Sequence, residues 1–333
     1  MDPPSEATYY SLLNLVARAD SFAPALESSI LLNPSPSVGY PLRAGDHDTL
    51  IGFVKPQLIP YMESHPSVFT VSVSGVRVNA SLTTSEARTA AVEAVLREWR
   101  DATLENGLKK VEDKQMFLCL KGWRNERYCV HGSRSEGVIM QLERAAVGLL
   151  GVRAYGCHLN GYTRTPEGQV KMWIAKRSDT KQTYPGMLDN LVGGGLATTT
   201  NPLENIIKEC GEEAGLDIAA ASKVASTGVL CFFLDDSERG WVPDTEWVYD
   251  LELPSSFDPQ PVDGEVQAFH LWDLETVKEH LHKGEFMNES ALVVIDFLIR
   301  FGLVTAMNEP DYIEIVARMH RSLPQPGPRF GSK

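Results

Sequence analysis

The sequence predicts an α+β protein in two parts: a small α+β domain over residues 1–150, then a mixed sheet packed between helices over residues 151–320. A flexible Pro/Gly-rich tail is expected over 321–333. Three observations predict this. A length of 333 residues suits about two domains. The rhythm changes near residue 150, from short mixed elements to longer strand-like runs interrupted by a few helices. Hydrophobic residues at 43% and charged residues at 23% are an ordinary globular mixture, which excludes a disordered or fibrous chain.

In the first part, Tyr9, Leu12, Leu13, Leu15 and Val16 recur at mainly helical spacing. A helix is therefore expected over 8–21, ended by Phe22-Ala23-Pro24. Residues 24–48 are rich in Pro, Gly and Ser and are expected to form an irregular connector. Residues 56–63 read as a short helix, and the alternation of Phe69, Val71, Val73 and Val76 predicts a strand. Thr83-Thr84-Ser85-Glu86 resembles a helix start. The helix continues over 87–99, with Val92, Val95, Leu96 and Trp99 on one side. Residues 116–120 and 127–130 read as short strands around Gly122.

In the second part, strands are expected over 153–163 and 170–175, joined by the turn Thr165-Pro166-Glu167-Gly168. A Gly-rich loop follows, then a helix over 202–214 ended by Gly215. Further strands are expected over 224–234, 246–253 and 266–271, and helices over 273–282 and 289–301.

The net charge of −13 argues against a nucleic-acid grip or an anionic membrane surface, since both need a basic face. It leaves open a small phosphate ester held through a divalent metal, which supplies positive charge locally. No membrane-length apolar stretch is present, and Met1-Asp2-Pro3-Pro4-Ser5-Glu6 lacks the features of a secretory signal. Five cysteines without a C-x-x-C pair suggest neither a disulfide framework nor a structural zinc site. A reducing, cytoplasmic setting and no obligatory protein partner are expected.

The most informative segment runs from Gly194 to Leu216. Pro202 suits a first helical turn, where its missing N–H costs little. Glu209, Glu212 and Glu213 fall at i, i+3 and i+4, so their carboxylates project from one side of the helix. Three like charges so close repel one another. Magnesium or manganese removes the conflict, because both prefer carboxylate oxygens and tolerate water and phosphate in their remaining positions. A solvated acidic face is the alternative.

The spacing resembles the Nudix box, G-x5-E-x7-R-E-U-x-E-E-x-G-U, where U is a bulky apolar residue. Gly194, Glu209, Cys210, Glu212, Glu213, Gly215 and Leu216 match, while Thr200 replaces the first Glu and Lys208 the Arg. A Lys can orient a carboxylate only as a point charge, without the Arg fork. Asp263-Gly264-Glu265-Val266 looks like the segment that brings an acid toward the metals of Nudix proteins, which makes Glu265 a candidate ligand or base; a plain turn acid is the other reading. Lys176 and Arg177 end a strand where such proteins place a cation against substrate phosphate, and a solvated strand end is their alternative.

The likeness narrows further. Trp173 to Ser178, Tyr184 to Asn190, His158-Leu159-Asn160-Gly161-Tyr162, Gly122 to Tyr128 and Gly52-Phe53-Val54-Lys55-Pro56 are similar to the thiamine-pyrophosphokinase-related Nudix proteins of fungi and plants. The resemblance implies a Nudix α/β/α sandwich preceded by a domain of unknown function. It implies hydrolysis of thiamine diphosphate, and especially of oxythiamine and oxothiamine diphosphate, to the monophosphates. With the chain ending at Lys333, no kinase domain and no thiamine diphosphate synthesis are expected.

On this reading Glu209, Glu212 and Glu213 hold magnesium or manganese, and Glu212 or Glu265 takes the proton from the attacking water. Lys176, Arg177, Gly194, Trp123, Arg124 and Asn160 are candidate substrate contacts. Trp173, Tyr184, Trp241 and Trp247 are further rings for stacking, although core packing explains most aromatics. His158 is expected to be a satisfied structural residue. Two other functions fit the box: hydrolysis of oxidised nucleoside diphosphates such as 8-oxo-dGDP, and a non-catalytic diphosphate-binding module.

Overall fold

A computed structural model describes residues 9–104, 115–196 and 200–330. The expected start of the first helix at residue 8, Ala197-Thr198-Thr199 of the Gly-rich loop and the last three tail residues lie outside them. The first part contains helices α1 (Leu12–Ala19), α2 (Pro24–Leu32), α3 (Ile59–Glu63) and α4 (Ser85–Leu104). Its strands are β1 (Tyr40–Ala44), β2 (Thr49–Val54), β3 (Phe69–Ser72) and β4 (Gly75–Val78), joined in the order β2-β1-β4-β3, and the hairpin of β5 (Arg127–His131) and β6 (Val138–Glu143).

The expected connector over 24–48 is therefore partly regular. Pro24 opens α2 at its first turn, where the ring costs no hydrogen bond, although it read as a breaker. The expected strand over 116–120 is instead a 3-10 turn, Leu118–Gly122, whose Leu120 side chain is buried. Val73 is exposed at the tip of the β3–β4 hairpin, so the alternating run is two strands.

The second part is built on β7 (Ala154–Arg164), β8 (Val170–Arg177), β9 (Leu188–Asp189), β10 (Val192–Gly195), β11 (Ala225–Asp236), β12 (Gly240–Glu252) and β13 (Val266–Asp273). Their helices are α5 (Pro202–Ala214), the single turn α6 (Ile218–Ala221), α7 (Leu274–His282), α8 (Asn288–Arg300) and α9 (Tyr312–Met319). The sheet runs β11-β12-β7-β8-β13 and is mixed, because β12 lies parallel to β7 while the other long pairs are antiparallel. Its faces are told apart by strand alternation. Cys157, Leu159, Tyr249 and Leu251 pack on Ile206, Cys210 and Ala214 of α5. Val248, Met172 and Ile174 pack on α7 and α8 across the other face. The result is an α/β/α sandwich.

One departure from regularity positions the site. The first half of β7 pairs with β10, from Gly156↔Gly195 to Leu159↔Val192, whereas its second half pairs with β8. The two neighbours part company midway along β7 and open the sheet beneath α5.

Two segments pack where the sequence did not place them. Leu12, Leu15, Val16 and Ala19 of α1 lie in the core formed with α7, α8 and α9. The tail is packed and not loose through Phe330: Arg153 Nη1 donates to the Gln325 carbonyl at 3.0 Å, Tyr155 Oη to that of Pro326 at 3.3 Å, and Phe330 meets Trp247 edge-on. Pro-rich composition hid the buried Gln325, whose Nε2 donates to the Gly151 carbonyl. Among the described residues, no helix is long and apolar enough to cross a membrane.

Candidate active site

Helix α5 is fixed at both ends by its own sequence. Asn201 accepts from the Glu204 amide at 2.9 Å while the Glu204 carboxylate reaches back to the Asn201 amide, a capping box, and Gly215 at φ +66° ends the helix. With Ile206, Cys210 and Ala214 held in the core, the acidic side is held at the split in the sheet.

The carboxylates then take different surroundings. Glu209 lies on the bare backbone of Gly194, where an added Cβ would come within 2.7 Å of its Cδ. Burial pushes its pKa up, with Glu212 and Glu265 adding repulsion and Lys208 opposing, at 3.6 Å. Glu212 is half exposed and bonded to Lys208 Nζ at 2.5 Å. Thus Lys208 does lean on this acidic face, as the motif's cation should, and takes up much of Glu212. Glu213 is buried and accepts from the Gly193 amide at 3.0 Å. Burial and the nearby Asp189 charge raise its pKa well above the usual range.

Glu213 does not stand alone. Oxygen atoms of Glu213, Asp263 and Glu265 lie within 4.8 Å of one another, so acids from α5 and from the loop before β13 converge. Burial alone would raise the Glu265 pKa, but a close contact with Lys181 Nζ outweighs it and holds the carboxyl below its ordinary value. The donor set of hard carboxylate oxygens, one of them buried with no lysine or arginine paired to it among the described residues, suits a divalent cation such as magnesium or manganese.

Glu209, Glu212, Asp263 and Glu265 line one end of a cavity of about 900 Å³, together with Gly193, Gly194 and Gly195. The cavity continues past the glycines to the opposite sheet face. There Asp244 and Glu246 of β12, Glu289 of α8 and His158 of β7 form the inner wall, and Tyr128, Arg144 and Arg124 from the first part cover it. Burial, with Asp244 and Glu289 nearby, raises the Glu246 pKa well above normal. Burial also lowers that of His158 despite its acidic neighbours.

The other expected contacts divide. Gly194 and Arg124 line the cavity, Arg124 donating from Nε to Gln182 Oε1 at 3.1 Å. Arg177 also reaches it, but its guanidinium is committed to Asp189 at 2.6 Å and to the carbonyls of Tyr184 and Thr183. It therefore positions the loop instead of offering a free cation. Lys176 points to the other side of β8, toward His270, because side chains alternate along a strand. Lys181 occupies the place expected of it. Trp123 lies outside the cavity, covered by the guanidinium groups of Arg97 and Arg100. Asn160 is wholly buried between Asn190 and Asp250, at 3.0 Å from each, a core link without access to ligand.

Sequence reasoning missed Lys181, Asp244, Glu246 and Glu289, and in the segment before β13 it singled out Glu265 but not Asp263. A signal existed for two of them: Asp244 and Glu246 sit at i, i+2 inside the strand-like run from Trp241 to Leu251, where two acids on one buried face demand a reason.

An α/β/α sandwich whose glycine strand lies under an acidic helix, with both opening into one cavity, is the architecture of a Nudix hydrolase. Relatives agree. An uncharacterised protein of Saccharomyces cerevisiae is 42% identical over 68% of this chain and 69% of its own length. Nudix hydrolase 20, chloroplastic, and Nudix hydrolase 24, chloroplastic, both of Arabidopsis thaliana, are each 35% identical over 82% of this chain, and over 71% and 70% of their own lengths. A family model described as a domain of unknown function (DUF4743) matches residues 46–154. Among solved structures, an Ap4A hydrolase binary complex from C. elegans is 14% identical, covering 45% of this chain and 99% of that one at a TM-score of 0.34. The chain belongs to the Nudix hydrolase family.

Proposed function

We propose that this hydrolase is a magnesium- or manganese-dependent pyrophosphatase acting on thiamine diphosphate and its damaged analogues, oxythiamine and oxothiamine diphosphate, in the cytoplasm. The observation that carries the reading is the convergence of Glu213, Asp263 and Glu265, the last two lining a cavity of about 900 Å³ with room for a diphosphate and the organic group attached to it. A divalent ion held there by these carboxylates, with Glu209 and Glu212 beside them, supplies charge neutralisation for the diphosphate and acidifies water.

The chain's own groups do the rest. Water attacks the terminal phosphorus, the bond from that phosphorus to the bridging oxygen breaks, and the products are a monophosphate and inorganic phosphate. Glu209 is the carboxylate best suited to take the proton. Burial raises its basicity, whereas Lys208 occupies Glu212 and Lys181 occupies Glu265. This moves the base away from the two residues expected first. Lys181, bonded to Glu265 at the cavity wall, offers positive charge to the departing phosphate.

A phosphate-release panel tests the reading: thiamine diphosphate, oxythiamine diphosphate, oxothiamine diphosphate and 8-oxo-dGDP, each with magnesium, manganese or EDTA. Metal-dependent release from the thiamine-type diphosphates is expected. Release from 8-oxo-dGDP alone would assign an oxidised nucleoside diphosphate instead, and no release from any would indicate a binding module.

A further inference from the structure

The inner end of the cavity has no task in the hydrolytic chemistry, yet it gathers buried acids. Glu246 is 5% exposed and Glu289 is 7% exposed, and both line the cavity. One oxygen of each, Oε2, has no hydrogen-bond partner among the described residues. Leaving such an acceptor unsatisfied away from water is unfavourable, more so when the group is charged. The arrangement is built, not accidental. Glu246 lies across the bare backbone of Gly156, where a Cβ would come within 2.3 Å of Oε2, so any other residue at 156 would displace it.

Two of the cations nearby, Arg144 and Arg239, are already engaged. Arg144 bonds Glu126 at 3.0 Å. Arg239 is shared among Asp236, the Tyr184 hydroxyl and Glu289 Oε1, the last at 3.5 Å. His158 also presents Nδ1 without a hydrogen bond, and Asp244 lies beside it on the same wall. His158 Nε2 stands 3.6 Å from Glu246 Oε2, too far to satisfy it, so a ligand bringing positive charge or N–H donors would complete the two acids.

We infer that Glu246 and Glu289 form the subsite for the organic end of the substrate, and that this end is an electropositive nitrogen heterocycle carrying a ring cation or ring-edge N–H donors. The inference rests on the proposed reading only for the direction of the substrate, with its diphosphate at α5 and its ring across the glycine strand. A second anionic group at that end would meet two buried acids away from water, so the site also selects against substrates whose remote end is acidic.

The experiment uses thiamine itself, a phosphate-free cation, titrated calorimetrically into the full chain in EDTA, where no hydrolysis can contribute. Saturable binding is expected for the wild type. Glu246→Gln and Glu289→Gln should each weaken it at least tenfold, while Glu275→Gln on the exposed side of α7 should not. The two variants lie on different elements, so one remains informative if the other fails to fold by circular dichroism. Unchanged affinity in a folded variant, or no binding to the wild type, overturns the inference. Phosphate release from thiamine diphosphate, measured separately with magnesium, tells the two failures apart. Release without this residue dependence removes the subsite alone; residue-dependent thiamine binding without release removes the hydrolytic reading alone.

Discussion

The carboxylate of Glu209 rests on the backbone of Gly194, so closely that one added methyl group would come within 2.7 Å of it. The helix and the glycine strand are separated in sequence by a loop, and the box glycine exists to let the two meet. Its backbone is not in a left-handed region, so alanine is excluded by contact and not by conformation.

Gly194→Ala should therefore fold and yet lose activity. A shift of Glu209 by about 1 Å is enough to lower turnover on the order of 100-fold. Steady-state phosphate release beside a thermal melt measures both. Near-normal turnover in the folded variant would show that Glu209 need not sit where it does.

Glu213→Gln should lower turnover by orders of magnitude with the melting temperature kept or raised. Glutamine retains the bond from the Gly193 amide and removes a buried charge that Asp189 repels. Loss of folding instead of loss of activity would make Glu213 a structural residue.

Arg177 and Lys176 are adjacent but should behave oppositely. Arg177→Ala strands the buried Asp189, which bonds to Arg177 at 2.6 Å and is also bonded by Ser290, and should cost about 3–5 kcal/mol of stability. Lys176→Ala should leave KM and stability unchanged, because its side chain is outside the cavity. Urea denaturation and KM for thiamine diphosphate separate the two, and a KM effect at Lys176 would restore it as a phosphate contact.

Stability contributed by Asp244 should decline as pH rises from about 4 to about 7. Burial, aided by the charge of Glu289, pushes the Asp244 carboxyl up to about 7, against about 3.9 in an unfolded chain. Between those values the native state binds more protons than the unfolded state, so stability falls with increasing pH. Asp244→Asn should flatten that slope and gain at least about 1 kcal/mol at pH 8. An unaltered pH profile in denaturant melts would show that Asp244 ionises normally.

Much of this site was legible in the sequence, and the limits have physical causes. Glu209, Glu212 and Glu213 could be placed because i, i+3, i+4 spacing fixes a helix face regardless of tertiary context. Gly194 followed from its spacing to them. Trp123 and Asn160 were misplaced because a residue type does not tell which side chains neighbours have already claimed: Arg97 and Arg100 cover the indole, and Asp250 with Asn190 encloses the amide. Glu246 and Glu289 come from a strand and a helix that meet only through the fold, so no local pattern linked them. Helix α1 joined the second core for the same reason, since an amphipathic stripe shows that a partner exists but not which one.

The central claim is that acids from α5 and from the loop before β13 hold one divalent ion. Manganese titration followed by electron paramagnetic resonance reads this without turnover. The wild type should bind manganese, and Glu213→Gln and Asp263→Asn should each weaken binding at least tenfold. Manganese held with equal affinity by wild type and both variants would contradict the account.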